Sequence, residues 1–255
     1  MTPDQIAAAA DILIGCRINA EKIGSLPESC RPQTPADGYA VQKAVLERSH
    51  AAQIGWKVAA TNEATQAAFG ITEPFAGRLP GWALARSPFA VMPGRFNTPS
   101  VEGEFAILLG EDISAVCNAE RAASAVAAVI PAVEVVDGVI GDRKEAGPAT
   151  NIAAGSVAGL VLGRPCFDWR ALDLPSHGVA LSVNGETVAE GIGAAVLGDP
   201  MNSLAWLANL AISLDEPLAA GEIITLGTCT GLTPVQSGDS VSVDYGNLGA
   251  VEIAF

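Results

Sequence analysis

The stretch that decides the fold of this chain is Val101-Glu102-Gly103-Glu104-Phe105-Ala106-Ile107-Leu108-Leu109. In an extended strand, successive side chains point to opposite faces, so Val101, Phe105, Ile107 and Leu109 share an apolar face and the two glutamates share the other. The carboxylates then point the same way, with Cα atoms about 7 Å apart at a rise of ~3.3 Å per residue. Gly103 between them leaves room for an approaching group. The stretch therefore predicts a strand that buries one face and presents Glu102 and Glu104 on the other.

A third acid, Glu134, lies in the apolar run Ile130-Pro131-Ala132-Val133-Glu134-Val135-Val136. An unpaired charge in a buried strand is costly, so this carboxylate needs a partner. Carboxylates from neighbouring strands would bind a divalent cation that prefers oxygen ligands, such as Mg²⁺, Mn²⁺ or Ca²⁺. Two alternatives remain open at this point. Glu102 and Glu104 could be solvated acids on an edge strand, and Glu134 could be a neutral, hydrogen-bonded carboxyl.

Lys57 belongs to another predicted strand, Gln53-Ile54-Gly55-Trp56-Lys57-Val58-Ala59, where it shares a face with Gly55 and Ala59. These small neighbours leave space for a ligand. The lysine could bind a carboxylate or, with its pKa lowered by burial and a metal, exchange a proton with the ligand. The alternative is a stem packed along the sheet with its ammonium group in water.

Helix signals dominate the first fifty residues. Thr2-Pro3-Asp4 and Thr34-Pro35-Ala36-Asp37 each supply an N-cap, a proline at the first helical position and an acid in the first turn. They predict helices to about Ile23 and Ala52. The segment 71–100 is rich in Pro, Gly and Arg, which indicates loops and short strands. It is the expected seam between a mainly helical N-terminal lobe, residues 1–80, and a β-rich catalytic domain, residues 81–255.

Beyond this seam the patterns are mostly those of strands. Two helices interrupt them, one from about Asn118 to Val129 and one beginning at Asp199-Pro200. The chain is expected to be an α+β protein with a mixed, largely antiparallel β core. The predicted strands are Val101–Leu109, Ala132–Val136, Ser156–Leu162, Val179–Val183, Ile223–Leu226 and Ser240–Val243.

Composition narrows the possible partners and locations. The 255 residues carry 28 acidic and 14 basic side chains, and this net charge of −14 disfavours binding to nucleic acid or to anionic membranes. The five cysteines are scattered and contain no C-x-x-C pair, which indicates reduced thiols and no zinc site. The sequence has no apolar run of membrane-spanning length and no basic leader, so we expect a soluble cytoplasmic protein.

Several other segments are weaker candidates for a functional site than the glutamates. Gly191-Ile192-Gly193 lacks the third glycine of a dinucleotide-binding motif. His50 and His177 have no nucleophile motif nearby, which favours structural or exposed positions. The loop Gly227-Thr228-Cys229-Thr230-Gly231 offers hydroxyl and backbone N–H groups that could hold a carboxylate, although an ordinary turn would have the same composition.

Taken together, several segments resemble the 2-keto-4-pentenoate hydratase and 4-oxalocrotonate decarboxylase family, a branch of the fumarylacetoacetate hydrolase superfamily. Gly55-Trp56-Lys57-Val58 looks like the family's lysine strand. Val101-Glu102-Gly103-Glu104 and Pro131-Ala132-Val133-Glu134-Val135-Val136-Asp137 look like its metal-ligand segments. Asn184-Gly185-Glu186, Gly198-Asp199-Pro200, Trp206-Leu207-Ala208-Asn209, Ala220-Gly221-Glu222-Ile223 and Gly238-Asp239 follow in the familiar order. The resemblance spans most of the chain.

The resemblance implies a fold and an activity. The fold would be the mixed β core of this superfamily with an N-terminal helical lobe, assembled as homo-oligomers. The activity would be that of a metal-dependent lyase on a small 2-oxo acid or its enol, most nearly a hydratase in the catabolism of aromatic compounds. A decarboxylase, a tautomerase, a C–C bond hydrolase of the superfamily and a catalytically idle 2-oxo acid-binding homologue are the alternatives.

The resemblance also assigns roles to residues. Glu102, Glu104 and Glu134 would hold Mg²⁺ or Mn²⁺, Lys57 would be the active-site lysine, and Asp137 a neighbouring acid that orients the ligands. Arg78, Thr228 and Thr230 are the expected substrate-binding residues, with Arg143 as a second candidate arginine. The metal would bind the C1 carboxylate and C2 oxygen of the substrate.

Three positions depart from the family pattern. Phe75 follows Glu73-Pro74 where an acidic residue is usual, Asp137-Gly138-Val139 replaces Asp-Ser-Arg, and Thr150-Asn151-Ile152-Ala153 replaces Asp-Asn-x-Ser. The first change removes a candidate proton-transfer group and the second removes an arginine. The expected metal ligands are retained, while the residues around them have changed.

Overall fold

The computed structural model describes residues 1–155 and 157–255. Ser156, the first residue of one predicted strand, lies outside the described residues. The α-helices, numbered in chain order, are α1 (Pro3–Ile18), α2 (Pro35–Arg48), α3 (Glu63–Phe69), α4 (Ala119–Ser124), α5 (Arg143–Ala153) and α6 (Pro200–Ser213).

The strands form two sheets. They are β1 (Gln53–Ala59), β2 (Phe75–Pro80), β3 (Leu84–Arg86), β4 (Phe89–Ala90), β5 (Ser100–Leu109), β6 (Val126–Val136), β7 (Gly159–Leu162), β8 (Gly178–Val183), β9 (Glu186–Ile192), β10 (Ile223–Thr228), β11 (Thr233–Pro234), β12 (Ser240–Asp244) and β13 (Ala250–Ala254). The larger sheet has the order β2-β1-β10-β5-β6-β7-β3, with β11 also paired to β5. The smaller sheet has the order β4-β13-β12-β8-β9.

The predicted fold class, a mixed and largely antiparallel β core, is confirmed. The pairs β1–β10, β3–β7 and β4–β13 are parallel. The remaining described pairs, including β5 with both of its neighbours β10 and β6, are antiparallel. The central strands of the large sheet therefore follow the antiparallel pattern that places opposite residues side by side.

The two faces of β5 have different surroundings, as the alternation of its residues predicts. Val101, Phe105 and Ile107 are buried in the main hydrophobic core together with residues of the smaller sheet. Gly103 also faces that sheet, because a Cβ built on it would lie 3.0 Å from side-chain carbons of Val179 and Val243. The group that approaches Gly103 is therefore the second sheet, since the missing side chain allows the two sheets to approach each other.

Helix caps were predicted better than helix ends. Thr2, Thr34 and Asp199 each accept a hydrogen bond from the first turn of their helix, as expected, and Asn62 caps α3 in the same way. However, α1 and α2 end at Ile18 and Arg48, earlier than predicted.

The helix that begins after Asn118 is also shorter than predicted. It ends at Ser124, and the residues expected to complete it belong to β6, where Val126 pairs with Leu109 and Val129 with Ile107. Sheet pairing overrides local helical spacing here. The elements α5, β9 and β13 were not predicted.

The large sheet contains strands from both sides of the domain boundary predicted at residue 80. Strands β1 and β2 both precede this residue, and they form one end of the large sheet through the pairing of β1 with β10. The helices α1 and α2 instead share a separate small core with residues of α5, including Ala9, Val41 and Ala146. No helix in the part of the chain that the structure describes is long and apolar enough to cross a membrane.

Candidate metal centre

Strand pairing brings the three predicted ligands together. In the antiparallel register of β5 and β6, Glu102 lies directly opposite Glu134, and Glu104 lies opposite Ala132, two residues before Glu134. One carboxylate oxygen from each glutamate can be chosen so that all three lie within 4.8 Å of one another. Glu104 and Glu134 are 1% and 2% exposed, so the acids do not belong to a solvated edge strand.

Lys57 reaches this cluster from β1, on the far side of β10. Its Nζ donates to Oε1 of Glu134 at 3.1 Å, and the residue is 9% exposed. Room for its side chain depends on Gly77, its partner on β2, because a Cβ there would lie 2.8 Å from Cε of Lys57. The ammonium group is therefore paired with a carboxylate inside the protein and does not extend into water.

Glu104 is held in place by neighbouring backbone and by a tyrosine. Its Oε2 accepts a hydrogen bond from the N–H of Gly227 at 3.1 Å. The buried hydroxyl of Tyr245 accepts from the N–H of Glu104 at 3.0 Å and donates to the carbonyl of Ala132 on the opposite strand. Tyr245 thus links β5 to β6 beside the cluster, a positioning role that nothing in the sequence around it signals.

The electrostatics of the cluster favour an added cation. Burial, reinforced by the charge of Glu134, raises the pKa of Glu102 to about 7, although Lys57 and Arg143 act to lower it. Burial and the two other glutamates also raise the pKa of Glu104 well above its usual range. Lys57 alone does not balance the buried negative charge. A divalent cation bound by Glu102, Glu104 and Glu134 would do so, and the all-oxygen donors suit Mg²⁺ or Mn²⁺.

The cluster lies in a pocket with about 830 Å³ of empty space, including its open mouth. Both carboxylate and apolar surfaces line this space. Lys57 and the three glutamates lie at one part of the wall, and Phe69, Phe75 and Leu232 are among the apolar residues of the remainder. The pocket therefore has a polar end capable of binding a metal and an acid, and an apolar wall.

Asp137 lies on the wall of the same pocket, where its carboxylate holds a loop. Its two oxygens accept from the backbone N–H groups of Asn97 and Thr98 at 2.8 Å and 3.0 Å. The described residues give it no hydrogen bond to the glutamates or to Lys57. Asp137 would therefore influence the three glutamates indirectly, by holding part of the pocket wall in place.

The loop after β10 contains the two predicted threonines. Thr228 lines the pocket, and its Oγ1 accepts from the N–H of Gly231 at 2.8 Å. Thr230 is not among the described pocket residues; its Oγ1 accepts from the N–H of Gly103 at 3.0 Å. The structure therefore brings Thr228 to the site, while Thr230 connects the loop to β5.

Arg78 lies on the other face of the sheet. Its Nη1 donates to Glu216 at 2.6 Å and to Gln53 at 2.7 Å, and its guanidinium carbon is 4.6 Å from the ring centroid of Trp56. Because Arg78 is adjacent to Gly77 on β2, strand alternation directs it away from the face of Lys57. The structure does not bring Arg78 to the pocket.

Arg143, the second candidate arginine, does line the pocket. It is the first residue of α5, and its guanidinium carbon lies 5.4 Å from the ring centroid of Phe69. Sequence reasoning named this arginine without being able to place it, and it missed Phe69 altogether. The sequence does mark where Phe69 lies, because Asn62 and Gly70 indicate a short helix that ends at this residue.

The histidines lie outside the pocket, as expected. His177 packs edge-to-face against Phe105, and its Nε2 lies 2.8 Å from the carbonyl oxygen of Tyr245. His50 is exposed just after α2. Neither lies among the described residues that line the pocket.

Comparison with known proteins identifies the family of this chain. Residues 43–255 match the family model described as fumarylacetoacetate (FAA) hydrolase C-terminal. The chain is 30% identical over 259 residues to the 2-keto-4-pentenoate hydratase of Paraburkholderia xenovorans, covering 100% of this chain and 96% of that protein. It is also 30% identical to the 4-oxalocrotonate decarboxylase of Pseudomonas sp. strain CF600, covering 100% and 98%.

Solved structures agree with the sequence relatives. The 4-oxalocrotonate decarboxylase of Pseudomonas putida G7, complexed with magnesium and adipate, superimposes with a TM-score of 0.94 at 31% identity, covering 100% of this chain and 98% of that one. A second structure of that enzyme contains calcium and acetate and gives a TM-score of 0.92. The shared fold, the full-length similarity and the family match lead to one conclusion: this chain belongs to the fumarylacetoacetate hydrolase family.

Proposed function

We propose that this chain is a metal-dependent lyase that acts on a small 2-oxo acid or its enol, and that its main reaction is the hydration of a 2-hydroxy-2,4-dienoate. One observation carries the proposal. Three glutamates from paired strands, Glu104 and Glu134 buried and Glu102 partly buried, converge in a pocket with Lys57 as their paired cation, which leaves an excess of negative charge. The magnesium-bound relative and the relatives named as hydratases add support.

Glu102, Glu104 and Glu134 would hold the metal ion. When bound, the divalent cation supplies Lewis-acid polarisation of the 2-oxo group and charge neutralisation of the acid. Gly227 and Tyr245 keep Glu104 in place through their hydrogen bonds to its carboxylate and its backbone. The chain thus provides a set of oxygen donors whose positions are fixed by the paired strands and these hydrogen bonds.

Lys57 is the residue proposed to move protons. Its ammonium group lies 3.1 Å from Glu134, so a proton can be held at Nζ beside the position of the reacting acid. In hydration, the dienol first becomes a 3,4-unsaturated 2-oxo acid, because the proton of the C2 hydroxyl leaves and a proton bonds to C5. The oxygen of water then bonds to C4 as the C3–C4 π bond breaks, and C3 takes up the proton that balances the one lost by the water. Lys57 is the group at the polar end of the pocket that can exchange that proton.

The second candidate is decarboxylation at the same site. It is favoured by the close structural match to a 4-oxalocrotonate decarboxylase. The C–C bond hydrolase alternative is less favoured, because neither histidine lines the described pocket.

The experiment is an assay of the purified protein with Mg²⁺ or Mn²⁺ against a panel of 2-hydroxydienoic and 2-oxo acids. The proposal expects metal-dependent loss of the dienol absorbance without release of CO₂. Release of CO₂ would favour the decarboxylase. If the metal-loaded protein converts none of these acids, both the hydratase and the decarboxylase proposals are contradicted. That result would favour a homologue that only binds a 2-oxo acid.

We also propose that the protein is cytoplasmic, takes part in aromatic catabolism and forms homo-oligomers, as the family resemblance implies. The acidic composition and the scattered, unpaired cysteines support the first of these points. Light scattering coupled to size exclusion tests the oligomer, and a mass equal to one chain of 25.9 kDa would contradict it.

A further inference from the structure

The basic residues of the metal pocket differ in how they are paired. Among the described residues that line the pocket, the cations are Lys57 and Arg143. Lys57 donates to Glu134 at 3.1 Å. Arg143 is half-buried, and within the described residues its guanidinium group has neither a carboxylate partner nor a hydrogen-bond acceptor. Arg143 is therefore the cation of this pocket that can bind an anion from outside the chain.

Two contacts define where the guanidinium group of Arg143 lies. Its central carbon is 5.4 Å from the ring centroid of Phe69, and its Nη2 would be 3.5 Å from a Cβ built on Gly138. Both neighbours line the pocket, so the guanidinium lies at the wall between α3 and the loop after β6. An aromatic ring attracts a guanidinium to its face, while the N–H groups of the planar fork can still donate to a carboxylate.

The backbone that carries Arg143 is held by hydrogen bonds. Arg143 begins α5, and Asp142 caps this helix by accepting from two backbone N–H groups of the first turn, at 3.0 Å and 2.9 Å. Asn151 donates through Nδ2 to the carbonyl oxygens of Arg143 and Gly147, at 2.5 Å and 2.9 Å. Gly147 has a φ of 76°, which a glycine adopts without strain, and kinks the helix there. The arginine is thus positioned without an acidic partner.

Arg78 provides a contrast within the same protein. Its guanidinium also lies near an aromatic ring, 4.6 Å from the centroid of Trp56. It differs from Arg143 in donating to Glu216 at 2.6 Å and to Gln53 at 2.7 Å. Arg143 has the aromatic contact without these acceptors in the part of the chain that the structure describes. The contrast indicates that Arg143 is placed to bind a ligand and Arg78 is placed to hold the fold.

We propose that Arg143 binds a second carboxylate at the end of the substrate remote from the metal. The site would then prefer 2-oxo dicarboxylic acids to 2-oxo monocarboxylic acids of equal length. The inference rests on the proposed function, because it assumes that a metal-bound 2-oxo acid occupies the pocket. It adds a choice that the relatives leave open, since proteins named 2-keto-4-pentenoate hydratase and 2-oxo-hept-4-ene-1,7-dioate hydratase both resemble this chain.

The rest of the pocket suits such a substrate. The metal ion and Lys57 would bind the 2-oxo acid head, while the contacts of Arg143 are to Phe69 and the loop after β6. Phe75 and Leu232 line the same pocket and offer hydrocarbon surface to the carbon chain that joins the two carboxylates. The second carboxylate would then be paired with a guanidinium and not left against apolar surface.

The test is calorimetric binding of matched acids to the Mn²⁺-loaded protein. The pairs are 2-oxoglutarate with 2-oxopentanoate, 2-oxoadipate with 2-oxohexanoate, and 2-oxopimelate with 2-oxoheptanoate. Within a pair the acids have equal chain length and differ in a terminal carboxylate or methyl group. We expect the dicarboxylate of at least one pair to bind about fivefold or more tightly than its partner, because it forms charge-assisted hydrogen bonds. A smaller preference in all three pairs would overturn the inference and leave the proposed function standing.

Substitution of Arg143 shows which carboxylate it binds. Arg143→Gln should remove the preference in the best pair, by weakening the dicarboxylate about fivefold or more relative to its partner. The matched control is Lys144→Gln, an equal change of charge at the next, exposed residue, which should preserve the preference within about twofold. Equal weakening of both acids by Arg143→Gln would place Arg143 at the shared head, and an unchanged preference would place the second carboxylate elsewhere. Either result would overturn the inference.

Substitution of Phe69 tests the support of the guanidinium. Phe69→Leu should lower the preference for the dicarboxylate about twofold to fivefold, because it removes the aromatic face and keeps an apolar side chain. Phe167→Leu, at a phenylalanine that is 64% exposed, is the control, and circular dichroism checks folding. An unchanged preference in folded Phe69→Leu would contradict the role of the ring in placing Arg143.

The outcome that overturns the proposed function is different. If none of the six acids binds, or if they bind equally well without metal, the 2-oxo acid site itself is refuted, and the preference falls with it. Metal-dependent binding of the monocarboxylates therefore separates the two failures.

Discussion

Two groups of charged side chains lie on opposite faces of the strands β1 and β2, and they differ in charge balance. On one face, Lys57 is paired with Glu134, and two further glutamates lie beside them. On the other face, Arg78 is paired with Glu216, which also accepts from Lys43 at 2.9 Å. In the first group, called the unbalanced group, the carboxylates outnumber the cations. In the second, called the balanced group, the single carboxylate is paired with both Arg78 and Lys43.

This difference in charge balance distinguishes a metal-binding site from a structural ion pair. Arg78 and Glu216 satisfy each other, and Gln53 and the ring of Trp56 complete the surroundings of the guanidinium. In the glutamate group, three carboxylates share one paired cation, and burial together with Glu134 raises the pKa of Glu102. A buried charge in the sequence is thus a weak guide to function until its partners are known.

The largest expected effect comes from breaking the unbalanced group. Glu134→Gln should lower the affinity for Mn²⁺ by more than about 1000-fold, because loss of a direct ligand exceeds the 10–100-fold cost of losing a supporting contact. Isothermal titration measures it. The matched control is Glu216→Gln in the balanced group, for which the affinity should not change. Undiminished Mn²⁺ binding by Glu134→Gln would refute the ligand assignment.

The next prediction distinguishes the role of Lys57 in turnover from the role of the glutamates in metal binding. Lys57→Met should lower kcat by about 100-fold or more, the usual contribution of a positioned acid or base. The affinity for Mn²⁺ should stay equal or increase, because the variant removes a positive charge beside the ligands. Lys43→Met provides the control, since this lysine belongs to the other group and its side chain is 51% exposed. Full turnover by Lys57→Met would make the lysine structural.

Breaking the balanced group should affect stability instead. Glu216→Gln leaves the guanidinium of Arg78, which is 3% exposed, without its anionic partner, and should lower the free energy of unfolding by about 3 kcal/mol. Urea denaturation measures the change. Retention of full stability would mean that Gln53 and Trp56 alone suffice for Arg78.

The smallest effect is a pH dependence that only the unbalanced group should show. The pKa of Glu102 is raised to about 7 in the metal-free site by burial and by Glu134. A metal ion must displace that proton and the proton that the raised pKa of Glu104 favours, so Mn²⁺ affinity should fall about tenfold or more per pH unit as the pH is lowered from 8 to 6. The increase in Tm on adding Mn²⁺ should accordingly be larger at pH 8 than at pH 6. Affinity that does not change between pH 6 and 8 would contradict this account.

Much of the site could be predicted from sequence because strand alternation is a local rule. The common face of Glu102 and Glu104 follows from residue spacing alone, and the burial of Glu134 follows from its apolar neighbours. Their convergence depends on the register of β5 with β6, which no local pattern specifies. The family resemblance supplied this long-range information before the structure was known.

Other features could not be predicted because they depend on which sheet face a strand presents. Arg78 was expected at the substrate, and only the pairing of β2 with β1 shows that it lies beside Trp56. Gly103 was expected to let another group approach, and only the packing of the two sheets shows that this group is the second sheet. The predicted helix after Asn118 was too long for the same kind of reason, because Val126 joins the sheet.

The most direct test of the central claim is a titration of the wild-type protein with Mn²⁺, followed by the electron paramagnetic resonance signal of the free ion at pH 8. The account predicts one tightly bound Mn²⁺ per chain, displaced by Mg²⁺ in competition. Absence of saturable binding, or binding that Mg²⁺ does not displace, would contradict the claim that Glu102, Glu104 and Glu134 form a metal site.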